Sequence, residues 1–154
     1  MDNQMPTSTQ DRPVVYIAVD DPAYRAAIAD ALRGQGAAVI EYRTGFHLLG
    51  ALADLIEGNQ PTLQPGLLVV DAVLRGCSGT TIAAGLRDLD IRIPVVIVAR
   101  PGDPVIEADD RLIRVVSASQ AASTVSEIAR PRSPAQAPDE GGAPERAGSQ
   151  DAAR

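Results

Sequence analysis

The chain of 154 residues contains no lysine, so all 14 of its basic residues are arginine. This absence excludes any mechanism that needs a lysine amine, including the lysine of a phosphate-binding P-loop. Tryptophan is absent as well, and aromatic residues make up only 3% of the chain, so a folded core must be aliphatic. With 45% hydrophobic residues, the sequence has enough aliphatic side chains for one such core.

Cysteine, basic charge and long apolar runs are also scarce. The single cysteine, Cys77, has no partner for an internal disulfide, which is typical of a reducing, intracellular compartment. Acidic residues outnumber basic ones by 20 to 14, and this net charge of −6 argues against nonspecific nucleic-acid binding. No apolar run approaches the roughly 18 residues of a membrane span, and the polar N-terminus lacks a signal-peptide pattern. These features predict a cytoplasmic protein that binds neither nucleic acid nor membrane.

Composition divides the chain into three parts. Residues 1–11 are polar without apolar periodicity, and residues 131–154 contain no Val, Ile, Leu, Met or aromatic residue. Neither segment can bury enough apolar surface to offset the entropy of ordering. We therefore expect a flexible N-terminus over 1–11, a folded domain over 12–130 and a disordered tail over 131–154.

Strand-like and helix-like segments alternate within the folded part. Strands are predicted at 14–19, 37–42, 67–70, 94–98 and 112–116, and helices at 22–33, 45–57, 80–89 and 117–130. Continuous apolar strands separated by helices are typical of a parallel sheet covered on both faces. The pattern predicts an α/β, flavodoxin-like, doubly wound sheet of five strands in the order 2-1-3-4-5.

Apolar spacing also predicts the buried face of each helix. The inward residues of the second helix are predicted to be Phe46, Leu49, Leu52, Ala53 and Ile56. Those of the first helix are Ala23, Ala27, Ile28, Ala31 and Leu32, and those of the third are Ile82, Ala83, Leu86 and Leu89. Ser117 and Gln120 have the spacing of a capping box at the start of the last helix.

Acidic residues follow two neighbouring strands, at the end of the sheet where doubly wound folds place their sites. Asp20 and Asp21 follow the first strand, and Asp71 ends the third. Close carboxylates repel one another, and a hard cation such as Mg²⁺ relieves the repulsion. Asp21 before Pro22 also fits a helix N-cap. Capping does not explain Asp71, which has no helix directly after it.

An ordered set of segments carries a resemblance to a known family. The set comprises Val19-Asp20-Asp21, Arg25, Leu32, Gly36, Pro65-Gly66-Leu-Leu-Val-Val-Asp71, Leu74, Gly76, Ser78, Gly79 and Ile93-Pro94-Val-Val-Ile-Val. Over about residues 13–130, its order and spacing resemble a CheY-like response-regulator receiver domain. Gly102-Asp103 is similar to part of the Gly-His-Gly-Asp stretch of FixJ-type receivers.

The resemblance implies a role in a two-component phosphorelay. Asp71 would be the phosphoacceptor, taking the phosphoryl group from a sensor histidine kinase or a histidine phosphotransfer protein. Mg²⁺ would be held by Asp20, Asp21 and Asp71, with the backbone carbonyl of Val73 as a further ligand. The protein would be a single-domain response regulator, not an enzyme, and would signal to a downstream protein target through an interface. The Lys-free, Ala- and Arg-rich composition indicates a bacterial source.

The sequence departs from the family pattern at its phosphate-binding positions. Ala99 stands where the family has Thr or Ser, and a methyl group donates no hydrogen bond to an acyl phosphate. Alignment on the capping box puts Arg114 at the position of the family's lysine and Val115 at the usual proline, with Arg100 as a rival phosphate partner. The segment between the fourth and fifth strands is short, so we expect the fourth helix to be shortened or absent.

Three functions are open on this evidence. The first is an atypical receiver phosphorylated on Asp71, and the second is a pseudo-receiver that binds proteins without phosphorylation. The third is a small Mg²⁺-dependent phosphotransferase or phosphatase with an aspartate nucleophile, although Ala72-Val73 offers no general acid. Cys77 is predicted to be a small buried hydrophobe, and His47 a surface residue.

Overall fold

The computed structural model describes residues 12–58, 64–107 and 110–130. The predictions of a flexible N-terminus over 1–11 and a disordered tail over 131–154 lie outside these residues. The elements are, in order, β1 (Val14–Ala18), α1 (Pro22–Gly34), β2 (Ala38–Tyr42), α2 (Gly45–Glu57), β3 (Leu67–Asp71), β4 (Val73–Leu74), β5 (Cys77–Ser78), α3 (Gly79–Asp88), β6 (Val95–Ala99), β7 (Ile113–Ser117) and α4 (Ala118–Ala129). In the ranges described, no helix has the length and apolar character needed to cross a membrane.

Five of these strands form one parallel sheet in the order β2-β1-β3-β6-β7, which confirms the predicted doubly wound topology. Every residue of β1 and β3 is buried, because these strands lie inside the sheet and helices cover both of its faces. The direction of winding reverses between β1 and β3. The carboxyl ends of these two strands therefore border the crevice in which such folds place their sites.

The sheet separates two apolar clusters, because alternate residues of a strand point to opposite faces. On one face Ile17 packs with Ile28 of α1 and Val125 of α4. On the other face the cluster includes Leu48 of α2 and Ile82 of α3. Burial of each of these aliphatic side chains stabilises the fold by about 1.5–3 kcal/mol. The aliphatic core expected from the scarcity of aromatic residues is thus present on both sides of the sheet.

Helix α2 buries a different face from the predicted one. Leu48 and Leu52 are buried, while most of the residues predicted to be inward are exposed: Phe46, Leu49, Ala53 and Ile56. The helix sequence GFHLLGALADLIE is apolar on more than one side, so its spacing does not single out one face. Packing against the sheet decides the orientation, and it leaves Phe46 64% exposed.

Helices α1 and α3 match their predicted faces in part. In α1, Ile28 and Leu32 are buried as predicted, but Ala23 and Ala27 are exposed. In α3 the prediction is wrong only for Leu89, which is the C-cap residue and is 56% exposed. Ala23 lies in the first turn of α1 and Leu89 at the end of α3, whereas Ala27 lies in the middle of α1 on the exposed side of the helix.

A short antiparallel hairpin, β4–β5, follows β3 and was not predicted. Its turn contains Gly76 in the left-handed region, with φ +88°, a conformation that favours glycine. A Cβ atom at Gly76 would overlap the ring of Phe46. The hairpin and the start of α2 are therefore in direct contact.

The connection between β6 and β7 contains no helix in its described residues, 100–107 and 110–112. Turns and irregular backbone take the place of the fourth helix, as the short segment predicted. The last helix, α4, begins after Ser117, which occupies the N-cap position. The predicted capping box is wrong, because the Ser117 side chain makes no capping hydrogen bond and its Oγ lies 3.2 Å from Ser119 Oγ instead.

Candidate functional site

Asp71 is the last residue of β3 and lies at the carboxyl end of the sheet with only 2% of its surface exposed. It is the one buried charged or polar residue in the described ranges. Its Oδ2 accepts hydrogen bonds from the backbone N–H of Asp20, at 2.8 Å, and from Nη2 of Arg100, at 3.1 Å. Its Oδ1 is buried and has no hydrogen-bond partner. One oxygen of the carboxylate is therefore held by the protein, and the other is left for a ligand or a reaction partner.

Burial raises the pKa of Asp71 above its ordinary value, because desolvation disfavours the charged form. The backbone N–H of Asp20 and the positive charge of Arg100 act in the opposite direction and lower the pKa. The carboxylates of Asp20 and Asp103 add to the rise by repulsion. The ionised form of Asp71 is thus favoured first by the Asp20 N–H and then by the cation beside it.

That cation is Arg100, the residue directly after β6. Its guanidinium forms an ion pair with Asp71, and its Cζ lies 5.7 Å from the ring centroid of Tyr24 on α1, within range of a cation–π contact. Its backbone N–H donates to Oδ2 of Asp103 at 2.8 Å, and the Asp103 N–H donates to the Arg100 carbonyl at 3.0 Å. Both its backbone and its side chain are therefore held in place.

The predicted metal ligands come together only in part. Asp20 contacts Asp71 through its backbone, whereas Oδ1 of Asp21 accepts hydrogen bonds from the N–H groups of Ala23, at 2.8 Å, and Tyr24, at 3.3 Å, as the N-cap of α1. Val73 begins β4, two residues after Asp71. No group of three His, Cys, Asp or Glu side chains suited to a metal ion occurs in the described part of the chain. The unpaired Oδ1 of Asp71 is nevertheless the kind of buried oxygen that a cation would satisfy.

The end of the fifth sheet strand is Ser117, so the alignment of Arg114 with that position is wrong. β7 ends at Ser117, which pairs with Ala99 at the end of β6. Arg114 is exposed and pairs with Val96, whereas Asp71 is level with Val98. The basic side chain that contacts Asp71 is therefore that of Arg100. The alignment counted back from the start of the last helix, but β7 runs up to the N-cap residue Ser117, so the strand ends three residues after Arg114.

Helix α3 begins directly against the backbone of Asp71. A Cβ atom at Gly79, the first residue of the helix, would lie 2.6 Å from the carbonyl oxygen of Asp71. Ser78 caps the helix by accepting a hydrogen bond from the N–H of Thr81 at 3.1 Å. The absence of a side chain at Gly79 lets the helix start approach the carboxyl end of β3.

Two other reactive residue types take no part in the site. Cys77 is half-buried, and burial, together with the negative charge of Asp20, raises the pKa of its thiol, so it is protonated at neutral pH. His47 is exposed on α2, with its ring Nδ1 3.1 Å from Oγ1 of the N-cap residue Thr44. The prediction of a surface histidine is confirmed.

Sequence reasoning missed Tyr24 as a member of the site. An aromatic residue in the first turn of a helix carries no signal of its role, because the role depends on where Arg100 comes to lie. Asp103 was noticed only as part of a Gly-Asp motif. Its contact with the backbone of Arg100 requires the turn after β6, which spacing alone does not specify.

Several solved structures share this architecture. A response-regulator receiver domain from Bacillus halodurans has a TM-score of 0.62 and 17% identity, covering 79% of this chain and 100% of that one. A receiver domain of a Francisella response regulator has a TM-score of 0.60 and 17% identity, with 77% and 93% covered. The phosphorylated cyanobacterial phytochrome response regulator RcpA has a TM-score of 0.58 and 22% identity, with 76% and 91% covered.

Comparisons of sequence find no counterpart: no protein-family model matches the chain, and no curated protein matches it. The structural likenesses, at 17–22% identity, therefore carry information on the fold alone. Together with the sheet order, they establish that this chain has the fold of a response-regulator receiver domain.

Proposed function

We propose that the protein is an atypical response-regulator receiver that accepts a phosphoryl group on Asp71 and signals through a protein interface. One observation carries the proposal: Asp71 ends a central strand of a receiver fold, and its Oδ1 has no protein partner. Because Oδ1 accepts no hydrogen bond from the protein, its lone pairs remain available for attack on phosphorus. The solved structures of the same fold include one described as phosphorylated, which supports this chemistry for the fold.

In the proposed reaction, an oxygen of the Asp71 carboxylate attacks the phosphorus of a phosphohistidine on a histidine kinase or phosphotransfer protein. The N–P bond breaks, the imidazole leaves with the bonding electrons, and an acyl phosphate forms. The Asp20 N–H orients the carboxylate through Oδ2, and Arg100 lies close enough to face the incoming phosphoryl oxygens. Because Oδ1 is buried, the donor reaches it only after the surrounding side chains move.

Mg²⁺ is the cofactor that the proposal includes. Asp71 and Asp20 would hold the ion, and Asp21 and the Val73 carbonyl are the further ligands that the family resemblance implies. Bound there, Mg²⁺ would neutralise charge on the phosphoryl oxygens during transfer. To act as a ligand, Asp21 has to use an oxygen other than the one that caps α1, because Oδ1 already accepts two N–H groups.

The experiment is incubation of the full chain with acetyl phosphate or phosphoramidate and Mg²⁺, followed by intact mass measurement. We expect the wild type to gain the mass of one phosphoryl group, and Asp71→Asn to gain none. Asp54→Asn, which removes an exposed carboxylate on α2, is the matched control and should still be modified. An unmodified wild type, or modification that survives in Asp71→Asn, would contradict the proposal.

A pseudo-receiver that binds proteins without phosphorylation is the second candidate. The Arg100 ion pair favours it, since it already supplies Asp71 with a counter-charge. The strand ends Ala99 and Ser117 are paired. Ala99 lacks the hydroxyl, and Ser117 lacks the ammonium group, that family members use at these positions to hold a phosphoryl group. This candidate predicts that the wild type gains no mass in the experiment above. A thermal unfolding curve of the same sample should show that the unmodified protein is folded.

A further inference from the structure

We infer that Arg100 is a built-in counterion of the Asp71 site: it holds the carboxylate in the resting state and competes with a divalent cation for it. The inference rests on the proposed function, because it takes Asp71 as the centre of the site. It assigns a function to Arg100 that does not depend on phosphoryl transfer. It also gives Tyr24 a function, as the residue that positions Arg100.

The first observation is the unequal burial of the two partners. The Asp71 side chain is 3% exposed, whereas that of Arg100 is 35% exposed, at a separation of 3.1 Å. A buried carboxylate needs a cation, since an uncompensated charge in this position is strongly destabilising. Arg100 supplies that charge from the rim of the site, where its side chain is partly exposed to solvent.

The second observation is that Arg100 is held at three points. Asp103 binds its backbone N–H, the Tyr24 ring lies beneath its guanidinium, and Asp71 accepts a hydrogen bond from Nη2. These contacts join the turn after β6 to α1 and to the end of β3. A guanidinium held in this way loses less side-chain entropy on forming its ion pair than a mobile one would, which favours the closed arrangement.

Competition with a metal follows from charge. The carboxylates of Asp20 and Asp103 each repel that of Asp71, and a divalent cation at Asp71 would relieve this repulsion. Arg100 already provides one positive charge at the same carboxylate, and like charges at short distance oppose one another. Bound Mg²⁺ therefore has to displace the guanidinium or tolerate its repulsion. Either way, the apparent affinity for Mg²⁺ falls.

The test is a titration of the full chain with Mg²⁺ alone, followed by amide NMR shifts and by melting temperature. We expect Arg100→Gln to bind Mg²⁺ about tenfold or more tightly than wild type, as expected when a charge-assisted bond no longer has to be broken. Arg87→Gln is the matched control. It breaks an ion pair of equal length, Nε to Asp110 Oδ2 at 3.1 Å, away from the site, and should leave the Mg²⁺ affinity unchanged.

Tyr24 provides a second, independent variant. Tyr24→Leu removes the ring and keeps both charges, so we expect an intermediate gain in Mg²⁺ affinity, whereas Tyr24→Phe keeps the ring and should behave as wild type. If Arg100→Gln binds Mg²⁺ no more tightly than wild type, or if neither protein binds it, the inference is overturned. Should Arg100→Gln fail to fold, the absence of any gain in Tyr24→Leu overturns it as well.

These outcomes are distinct from those of the phosphorylation experiment. Tighter Mg²⁺ binding by Arg100→Gln, with no phosphoryl gain in wild type, supports the counterion and contradicts the phosphoacceptor. Phosphorylation of wild type, with equal Mg²⁺ affinity in wild type and Arg100→Gln, supports the phosphoacceptor and contradicts the counterion.

Discussion

At the scale of the residue, the site depends on one carboxylate whose two oxygens have different surroundings. Oδ2 of Asp71 has two donors, while Oδ1 has none and is also out of reach of solvent. An unpaired buried acceptor costs about 1–3 kcal/mol. The fold therefore carries a destabilising group at the position best suited to chemistry, a combination typical of functional sites.

The burial of Asp71 predicts a pH-dependent effect on stability. Because its pKa is raised in the folded state above the ordinary 3.8, its contribution to stability is fully present below about pH 3.8 and is lost as pH rises through the raised pKa. Asp71→Asn resembles the protonated acid and should melt at a higher temperature than wild type near neutral pH. Melting curves across pH should show the difference shrinking on acidification. Asp54→Asn, which changes an exposed carboxylate, should show no such trend, and a lower melting temperature for Asp71→Asn at neutral pH would refute the argument.

Two glycines of α3 predict opposite effects of the same substitution. Gly79→Ala places a Cβ 2.6 Å from the Asp71 carbonyl oxygen and should lower the free energy of unfolding by about 1–3 kcal/mol. Gly85→Ala, on the same helix with nothing within 4 Å of the new Cβ, should raise it by about 0.5–1 kcal/mol. Urea denaturation measures both. An unchanged or higher free energy of unfolding in Gly79→Ala would show that the approach of α3 to β3 is not a constraint.

At the scale of the element, the N-cap residue of α1, Asp21, is one that the family resemblance assigns to metal binding. Asp21→Ala should lower the free energy of unfolding by about 1 kcal/mol in metal-free buffer, because it removes the acceptor for two backbone N–H groups. Asp21→Asn keeps the cap and removes the charge, so its stability should stay close to that of wild type. Thermal unfolding of both variants with and without Mg²⁺ then separates capping from metal binding. Equal loss in both variants would show that the charge, and not the cap, stabilises α1.

The order and type of the main elements could be predicted from the sequence, because apolar runs and helical periods alternate regularly along it. The buried face of α2 could not, since Phe46 and Leu48 are both apolar and only packing against the sheet distinguishes them. The β4–β5 hairpin was missed because each of its strands has two residues, too few to show a period. Contacts between elements, such as that of Phe46 with Gly76, settle these points.

The candidate site was predictable to a similar degree. Strand ends located Asp20 and Asp71 correctly, because parallel strands finish at the same end of the sheet. Arg114 was assigned to the strand end by counting back from the start of the last helix, whereas β7 runs on to the N-cap residue Ser117. The contact between Arg100 and Tyr24 depends on the turn after β6 and on the orientation of α1, and neither has a periodic signal in the sequence.

At the scale of the whole molecule, the paired strand ends predict a weak response to phosphorylation. A shift of a two-state population from 1:99 to 99:1 needs about 5.5 kcal/mol, and one charge-assisted bond to phosphate supplies about 1.5–3 kcal/mol. Arg100 could form such a bond, but Ala99 has no hydroxyl and Ser117 no ammonium group. With beryllofluoride as a phosphoryl mimic, amide shifts should change around Asp71 and only weakly over residues 100–117.

Restoring both groups should enlarge that response. The combined variant Ala99→Thr and Ser117→Lys returns a hydroxyl and an ammonium to neighbouring strand ends. The change at Ser117 is expected to cost little, because its side chain makes no capping hydrogen bond. Arg114→Lys, at an exposed position away from Asp71, is the control and should leave the response as in wild type. Large shifts over 100–117 in the unaltered protein would contradict the weak-response prediction.

The order of the strands has a consequence for self-association. Within residues 12–58, 64–107 and 110–130, β2 and β7 are the two edge strands of the sheet, and each has one side with no strand beside it. Such edges are templates for pairing with another chain and hence for aggregation. Glu41 on β2 is ion-paired with Arg25 and Arg33 of α1, and Arg114 interrupts the β-branched run of β7. Arg114, which has no contact with Asp71, thus fits the description of a gatekeeper: a charge on an edge that would otherwise be apolar and open to a second molecule.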